Sequence, residues 1–120
     1  MSSRPLPNYL RSHRKAFGLT QIEVGQILGW KDGHNVYLHE HYERIPPLEV
    51  VIAYEVLFGT PASELLAGVS DAIRFVLRRR LRKLVLTLSK RKPTPTIAAK
   101  LVVLRAALER ASRPTLKRNA

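Results

Sequence analysis

The sequence predicts an all-α protein, and three observations carry that expectation. Apolar residues recur at intervals of three and four through most of the chain, the period of a helix face, with no strand-like alternation. Helix starts and stops are paired: a Thr with a Glu three residues on, glycines after apolar runs, prolines where a helix must stop or begin. The 120 residues are 45% apolar, enough to supply a small core. Five short helices over residues 8–68, a basic two-helix extension over 69–112 and a frayed tail over 113–120 are expected.

The first helix is expected over about 8–17, where Leu10, Arg14 and Phe17 share a face and Gly18 ends it. Thr20 caps the second, and Glu23 three residues later completes a capping box. Ile22, Val24, Ile27 and Leu28 form its apolar side before Gly29 stops it. Lys31-Asp32-Gly33 reads as a turn, with Asp-Gly supplying a positive φ. A third helix from His34 to Glu40 or Tyr42 turns Val36 inward and is stopped by Ile45-Pro46-Pro47. The fourth, Leu48 to Phe58, carries Val51, Ile52, Val56 and Leu57 as its apolar stripe. Thr60-Pro61 reads as a cap and a first-turn proline for a short fifth helix over 62–66.

The extension differs in kind. Ser70-Asp71 is expected to cap a long helix to about Arg91, with an apolar seam of Ile73, Leu77, Leu81, Leu84 and Leu88. Arg78-Arg79-Arg80-Leu81-Arg82-Lys83 makes its other face intensely basic. Lys92-Pro93-Thr94-Pro95 breaks it, and Thr96 is expected to cap a last helix carrying Ile97, Leu101, Leu104 and Leu108. Such a basic, apolar-seamed pair suits phosphate contact beside a DNA groove, dimerisation as a coiled coil or hairpin, or an anionic membrane surface. The first two are compatible and favoured, and a partner protein on these helices is a further possibility.

Charge is divided unevenly. Residues 1–68 hold six Lys/Arg against seven Asp/Glu, whereas 69–120 hold fifteen against two, so the chain's +12 comes from its second half. That asymmetry points to a polyanionic partner. No cysteine is present, which excludes disulfides, a thiol nucleophile and cysteine-based zinc sites. No signal-like apolar run opens the sequence and none reaches the length of a membrane span, so a cytoplasmic protein without membrane partners is expected. No nucleophile lies beside a base, no carboxylate pair suggests acid–base work and no Gly-rich loop cradles phosphate, so neither an enzyme nor a bound cofactor is expected. The four histidines lack cysteine or carboxylate companions at ligand spacing, so no metal is expected.

From Leu19 to Leu48 the elements run helix, glycine, short turn, helix, Pro-Pro stop: the layout of a helix-turn-helix, which places its second helix in a DNA major groove. Segment 8–66 resembles the Cro/repressor-type, or XRE, family of helix-turn-helix transcriptional regulators. Gln21 matches the glutamine opening the family's second helix, Gly29 its turn glycine, and Arg14, seven residues before Gln21, its first-helix arginine. Glu40, Pro46, Leu48 and Gly59 follow the family's Glu…Pro-x-Leu…Gly pattern, and 59–66 look like its closing helix. Three departures stand out. The stretch Gly29 to Val36 is one residue longer than usual, Gly25 replaces an alanine that makes room for helix three, and His39 sits at an apolar core position. Pairing Tyr42-Glu43 instead of His39-Glu40 with the family's aromatic-Glu pair would need a four-residue insertion.

The resemblance implies a five-helix lambda-repressor-like domain, an ion pair between Arg14 and Glu40, and phosphate contact by Gln21. Helical geometry then puts His34, Asn35, Tyr37, Leu38 and His41 on or near the outer face of helix three if Val36 points inward. Asn suits adenine, Leu or Tyr a thymine methyl, and His a base edge or phosphate. An apolar pair such as Tyr37 and Leu38 also suits a protein-docking surface. Lys31, Arg44 and Arg11 are candidate phosphate contacts around the helix, with Arg79 and Arg82 on the extension. The expected function is a sequence-specific, dimeric regulator, a repressor by resemblance, binding double-stranded DNA in a bacterial or phage nucleoid. The other reading is a sequence-independent nucleic-acid or partner-docking module, antitoxin-like included, dominated by the basic helices.

Overall fold

The computed structural model describes residues 8–113, which hold seven α-helices and, among them, no strand. They are α1 (Leu10–Ala16), α2 (Gln21–Ile27), α3 (His34–Glu40), α4 (Leu48–Phe58), α5 (Ala62–Leu65), α6 (Ala67–Ser89) and α7 (Pro95–Ala111). The tail expected over 113–120 lies, from 114 onward, outside the described residues. The chain divides into two compact units, Met1–Ser70 and Asp71–Ala120, with the division inside α6.

The first unit closes around Leu10, Val24, Val36, Tyr54, Phe58 and Leu65, each at most 5% exposed. Side chains from all of α1 to α5, two of them from α4, thus meet in a single apolar cluster. Helix α1 begins two residues later than expected because Asn8 is used outside it: its Oδ1 accepts from Leu10 N–H and its Nδ2 donates to the His39 carbonyl. The capping box at α2 forms in full, with Glu23 N–H on Thr20 Oγ1 at 3.0 Å and Thr20 N–H on Glu23 Oε1 at 2.9 Å.

Three expectations in this unit need correction. Helix α4 does not bury Ile52 and Val56, which are 50% and 77% exposed; Tyr54 and Phe58 go inward instead. The helix is apolar almost all round, so its pattern leaves the face undecided and the two large aromatics take it. Thr60 does not cap α5; its hydroxyl donates to Phe58 O, and Glu55 reaches across to accept from Ala62 N–H at 2.8 Å. Helix α6 starts at Ala67, so Ser70 and Asp71 lie within it. Leu65, Leu66 and Ala67 are all buried, and that burial sets the start ahead of a capping signal four residues on.

The second unit is an antiparallel pair. Arg74 Nη1, early in α6, donates to the Arg110 carbonyl at 2.6 Å, and Arg78 Nη1 to that of Ala111 at 3.3 Å, both at the end of α7. These guanidinium groups donate to carbonyls of the last turn, where helical partners run out, and oppose the negative end of its dipole. The arrangement keeps Leu81 and Leu88 of the expected seam and moves the other three positions on by one. Its least exposed line is Arg74, Arg78, Leu81, Val85 and Leu88, while Ile73, Leu77 and Leu84 stay about half exposed. The α7 side, Ile97, Leu101, Leu104 and Leu108, is half-buried throughout. Thr94, not Thr96, caps α7: its Oγ1 accepts from Ile97 N–H at 3.1 Å and Pro95 follows as the first helical residue. No described helix is long and apolar enough to cross a membrane.

Candidate nucleic-acid interface

Helix α3 is fixed from its buried side. Val36, His39 and Glu40 are all under 5% exposed. Glu40 holds Arg14 of α1 by two contacts, Nε to Oε2 at 2.5 Å and Nη2 to Oε1 at 3.0 Å, and Arg14 Nη1 also donates to Leu19 O. Hydrogen bonding to the carboxylate pushes the Arg14 guanidinium further into its charged form, outweighing burial. Gln21 joins the same cluster through Nε2 to Glu40 Oε1 at 3.1 Å. That side-chain nitrogen, expected on a phosphate, is therefore turned toward the α1–α3 ion pair.

His39 is a core residue. Its Nδ1 is 2.9 Å from the Tyr54 hydroxyl, its ring lies edge-on to that of Tyr54, and Trp30 packs at 5.9 Å. Burial, helped by the nearby Arg44 charge, lowers its pKa to about 4, so the ring is neutral at ordinary pH. Burial likewise pushes the Tyr54 hydroxyl up, keeping it protonated. Tyr54 is the partner that sequence reasoning missed, because it lies on another helix and in a run of mostly apolar residues that all suit a core equally well.

The approach to α3 is set by three glycines. Expected to supply a positive φ, Gly33 has φ −100°, and the left-handed residue is Gly29 at φ 97°. Gly33 is needed for space: a Cβ there would fall 2.7–2.9 Å from the backbone and Cβ of Gln21. A Cβ on Gly25 would run into the Asp32 carbonyl oxygen. The atom that crowds Gly25 thus belongs to the turn and not to the body of α3. Two of the departures noted above, the longer turn and the missing alanine methyl, are therefore one structural fact. Asp32 Oδ1 then accepts from His34 N–H at 3.0 Å and starts α3.

Opposite its buried side, α3 exposes His34, Tyr37 and His41, with Asn35 and Leu38 half-buried beside them. The Tyr37 and His41 rings stack at 3.9 Å, and His41 Nδ1 lies 2.9 Å from the Tyr37 carbonyl. That oxygen only accepts, so the Nδ1 proton is held inward and Nε2 is the ring nitrogen available outside the helix. The helix ends in paired bonds, Glu43 N–H to Leu38 O at 2.9 Å and Tyr42 N–H to His39 O at 3.3 Å. Tyr42 takes the left-handed position at φ 64°, where glycine is usual. Lys31 and Arg44 are exposed on the segments leading into and out of α3, and Arg11 is exposed on α1. Arg79 and Arg82 are exposed on α6 in the second unit.

Among the described residues, no group of three or more His, Cys, Asp or Glu side chains is placed to hold a metal ion. Comparisons with protein-family models, with curated proteins and with solved structures each return no match, so the reading of this surface rests on its own geometry.

Proposed function

We propose that the chain is a sequence-reading, double-stranded DNA-binding regulator of the lambda-repressor-like helix-turn-helix kind, resembling XRE regulators, with α3 as the helix that enters the major groove. The observation that carries this is the two-sidedness of α3. Val36, His39 and Glu40 lock one side to the body of the unit, and the opposite side offers His34, Tyr37 and His41 to solvent. A groove reader needs that rigid-inside, exposed-outside division. Tyr37 is the reader for a thymine methyl and His41 Nε2 for a base-edge amino group, with Lys31 and Arg44 on flanking phosphates.

Dimerisation, which a palindromic site requires, is proposed through α4. Leu48, Ile52 and Val56 recur every four residues and are at least half exposed. Residues 1–68 carry six basic against seven acidic groups, so two copies meet there without strong repulsion.

The test is selection of bound sites from random duplex DNA by the full chain, repeated with Tyr37→Ala and His41→Ala. A discrete recovered site that relaxes at one or two positions in the variants supports the reading. Affinity for the best site equal to that for random duplex at physiological salt defeats it. The alternative, sequence-independent binding by the basic helices, is favoured by the exposed Arg79, Arg80, Arg82 and Lys83 on α6. It predicts that changing those four to Ser abolishes binding, whereas a base-reading α3 retains its site preference at reduced affinity.

A further inference from the structure

The α6–α7 pair leaves a trough of about 610 Å³ on one side. Its apolar surface comes from Leu84 and Leu88 of α6 and Ala99, Val103 and Leu104 of α7, and its basic members are Arg91 and Lys100. Leu84 and Val103 remain 45% and 64% exposed, so a large part of each faces solvent in the trough. The stems of long basic side chains line such apolar surface while their charged ends stay in water. We infer that this trough docks one amphipathic helix of a partner protein, apolar on the inner face and acidic on its flanks.

Two helices with an open apolar furrow between them accept a third whose side chains at i, i+3, i+4 and i+7 fill the furrow. Ala99 keeps the α7 wall low enough for such an approach. Charge selects the occupant. The chain from residue 69 onward holds fifteen Lys/Arg against two Asp/Glu. A second copy of this pair brings the same charge and is repelled, whereas an acidic helix is steered inward and pairs with Arg91 and Lys100. DNA has the charge but no apolar side chains to fill the furrow. A lipid surface calls for a convex apolar stripe on one helix, not a concave one shared by two.

The experiment titrates the full chain against a labelled synthetic helix of about five turns, Leu on one face and Glu elsewhere. Two controls replace every Glu by Lys or every Leu by Ser. Binding of the Leu/Glu peptide alone is expected, weakened about tenfold or more by Leu84→Ser or Val103→Ser and by Arg91→Glu with Lys100→Glu. Val103 is the more exposed, so Val103→Ser tests the groove even where Leu84→Ser lowers helix content. Equal binding of the Leu-to-Ser peptide, or full affinity in Val103→Ser, means charge attraction alone and overturns the assignment. Self-association of the free chain that Val103→Ser abolishes would put a second copy in the trough. Pelleting with phosphatidylserine vesicles that depends on Val103 would put lipid there; either result also overturns the proposal. The altered residues all lie in the second unit and α3 is untouched, so failure here leaves the DNA-site selection to be judged separately.

Discussion

His39 is a histidine kept neutral by its surroundings, and that makes the first unit sensitive to acid. Its pKa is about 4 in the folded chain against an ordinary 6.5. The unfolded chain therefore binds more protons between those values, and stability rises with pH across that window. The contribution is complete above pH 6.5 and is lost as pH falls toward 4, amounting to about 3 kcal/mol. Denaturant melts at pH 7 and pH 4.5 should show that loss. A His39→Phe, Tyr54→Phe double variant, which removes the imidazole without stranding the hydroxyl, should flatten most of the slope. Arg14 behaves differently because both members of its pair are charged and enclosed. Arg14→Met leaves Glu40 buried with only Gln21, and should cost about 3–5 kcal/mol. Adding Glu40→Leu should return most of it. Equal effects of the single and double changes in urea melts would show that the pair does not hold α1 to α3.

At the scale of elements, the turn before α3 and the middle of α2 are a matched set. Gly25→Ala should destabilise by about 1–3 kcal/mol, because the Asp32 carbonyl occupies the methyl's space. Deleting Lys31 should relieve that conflict, so the pair of changes together should cost less than the sum of each alone. Additive losses in thermal melts would separate the two features. The same logic marks what could be read from sequence. Helix α2 was legible because Thr20 and Glu23 close its end with their own side chains, three residues apart. The outward set on α3 followed from one inward anchor, Val36, and the helical period. The start of α5 at Ala62 was legible from Pro61, but its cap was not, since Glu55 from the preceding helix supplies the acceptor in place of Thr60. The seam of α6 was right at Leu81 and Leu88 but wrong at its first turns, because leucine spacing alone does not say that Arg74 and Arg78 go to the end of α7. Nor did the sequence show that Gln21 and Tyr54 each serve a buried polar partner on another helix.

For the whole molecule, charge is divided between a near-neutral and a strongly basic half, and the proposed function gives each a separate task. The near-neutral half presents the candidate base-reading helix, and the half bearing fifteen Lys/Arg dominates long-range attraction to polyanions. Removing Lys31 or Arg44 should lower affinity about equally for all duplexes and reduce the salt slope by about one each, while Tyr37→Ala should alter preference between duplexes. The proposed assembly through α4 has its own readout. Val56→Lys, at a position 77% exposed, should leave helix content intact and convert a dimer to a monomer in sedimentation. A mass unchanged by that variant would remove α4 from the interface.

Tyr42 gives the first unit an unused margin. Holding a phenol-bearing residue in a left-handed conformation costs about 1–2 kcal/mol that glycine would not incur. Tyr42→Gly should therefore act as a suppressor, raising the melting temperature and rescuing weakened backgrounds such as Arg14→Met without touching what they lost. If Tyr42→Gly instead lowers the melting temperature, the ring contributes more to the end of α3 than its backbone takes away, and the margin does not exist.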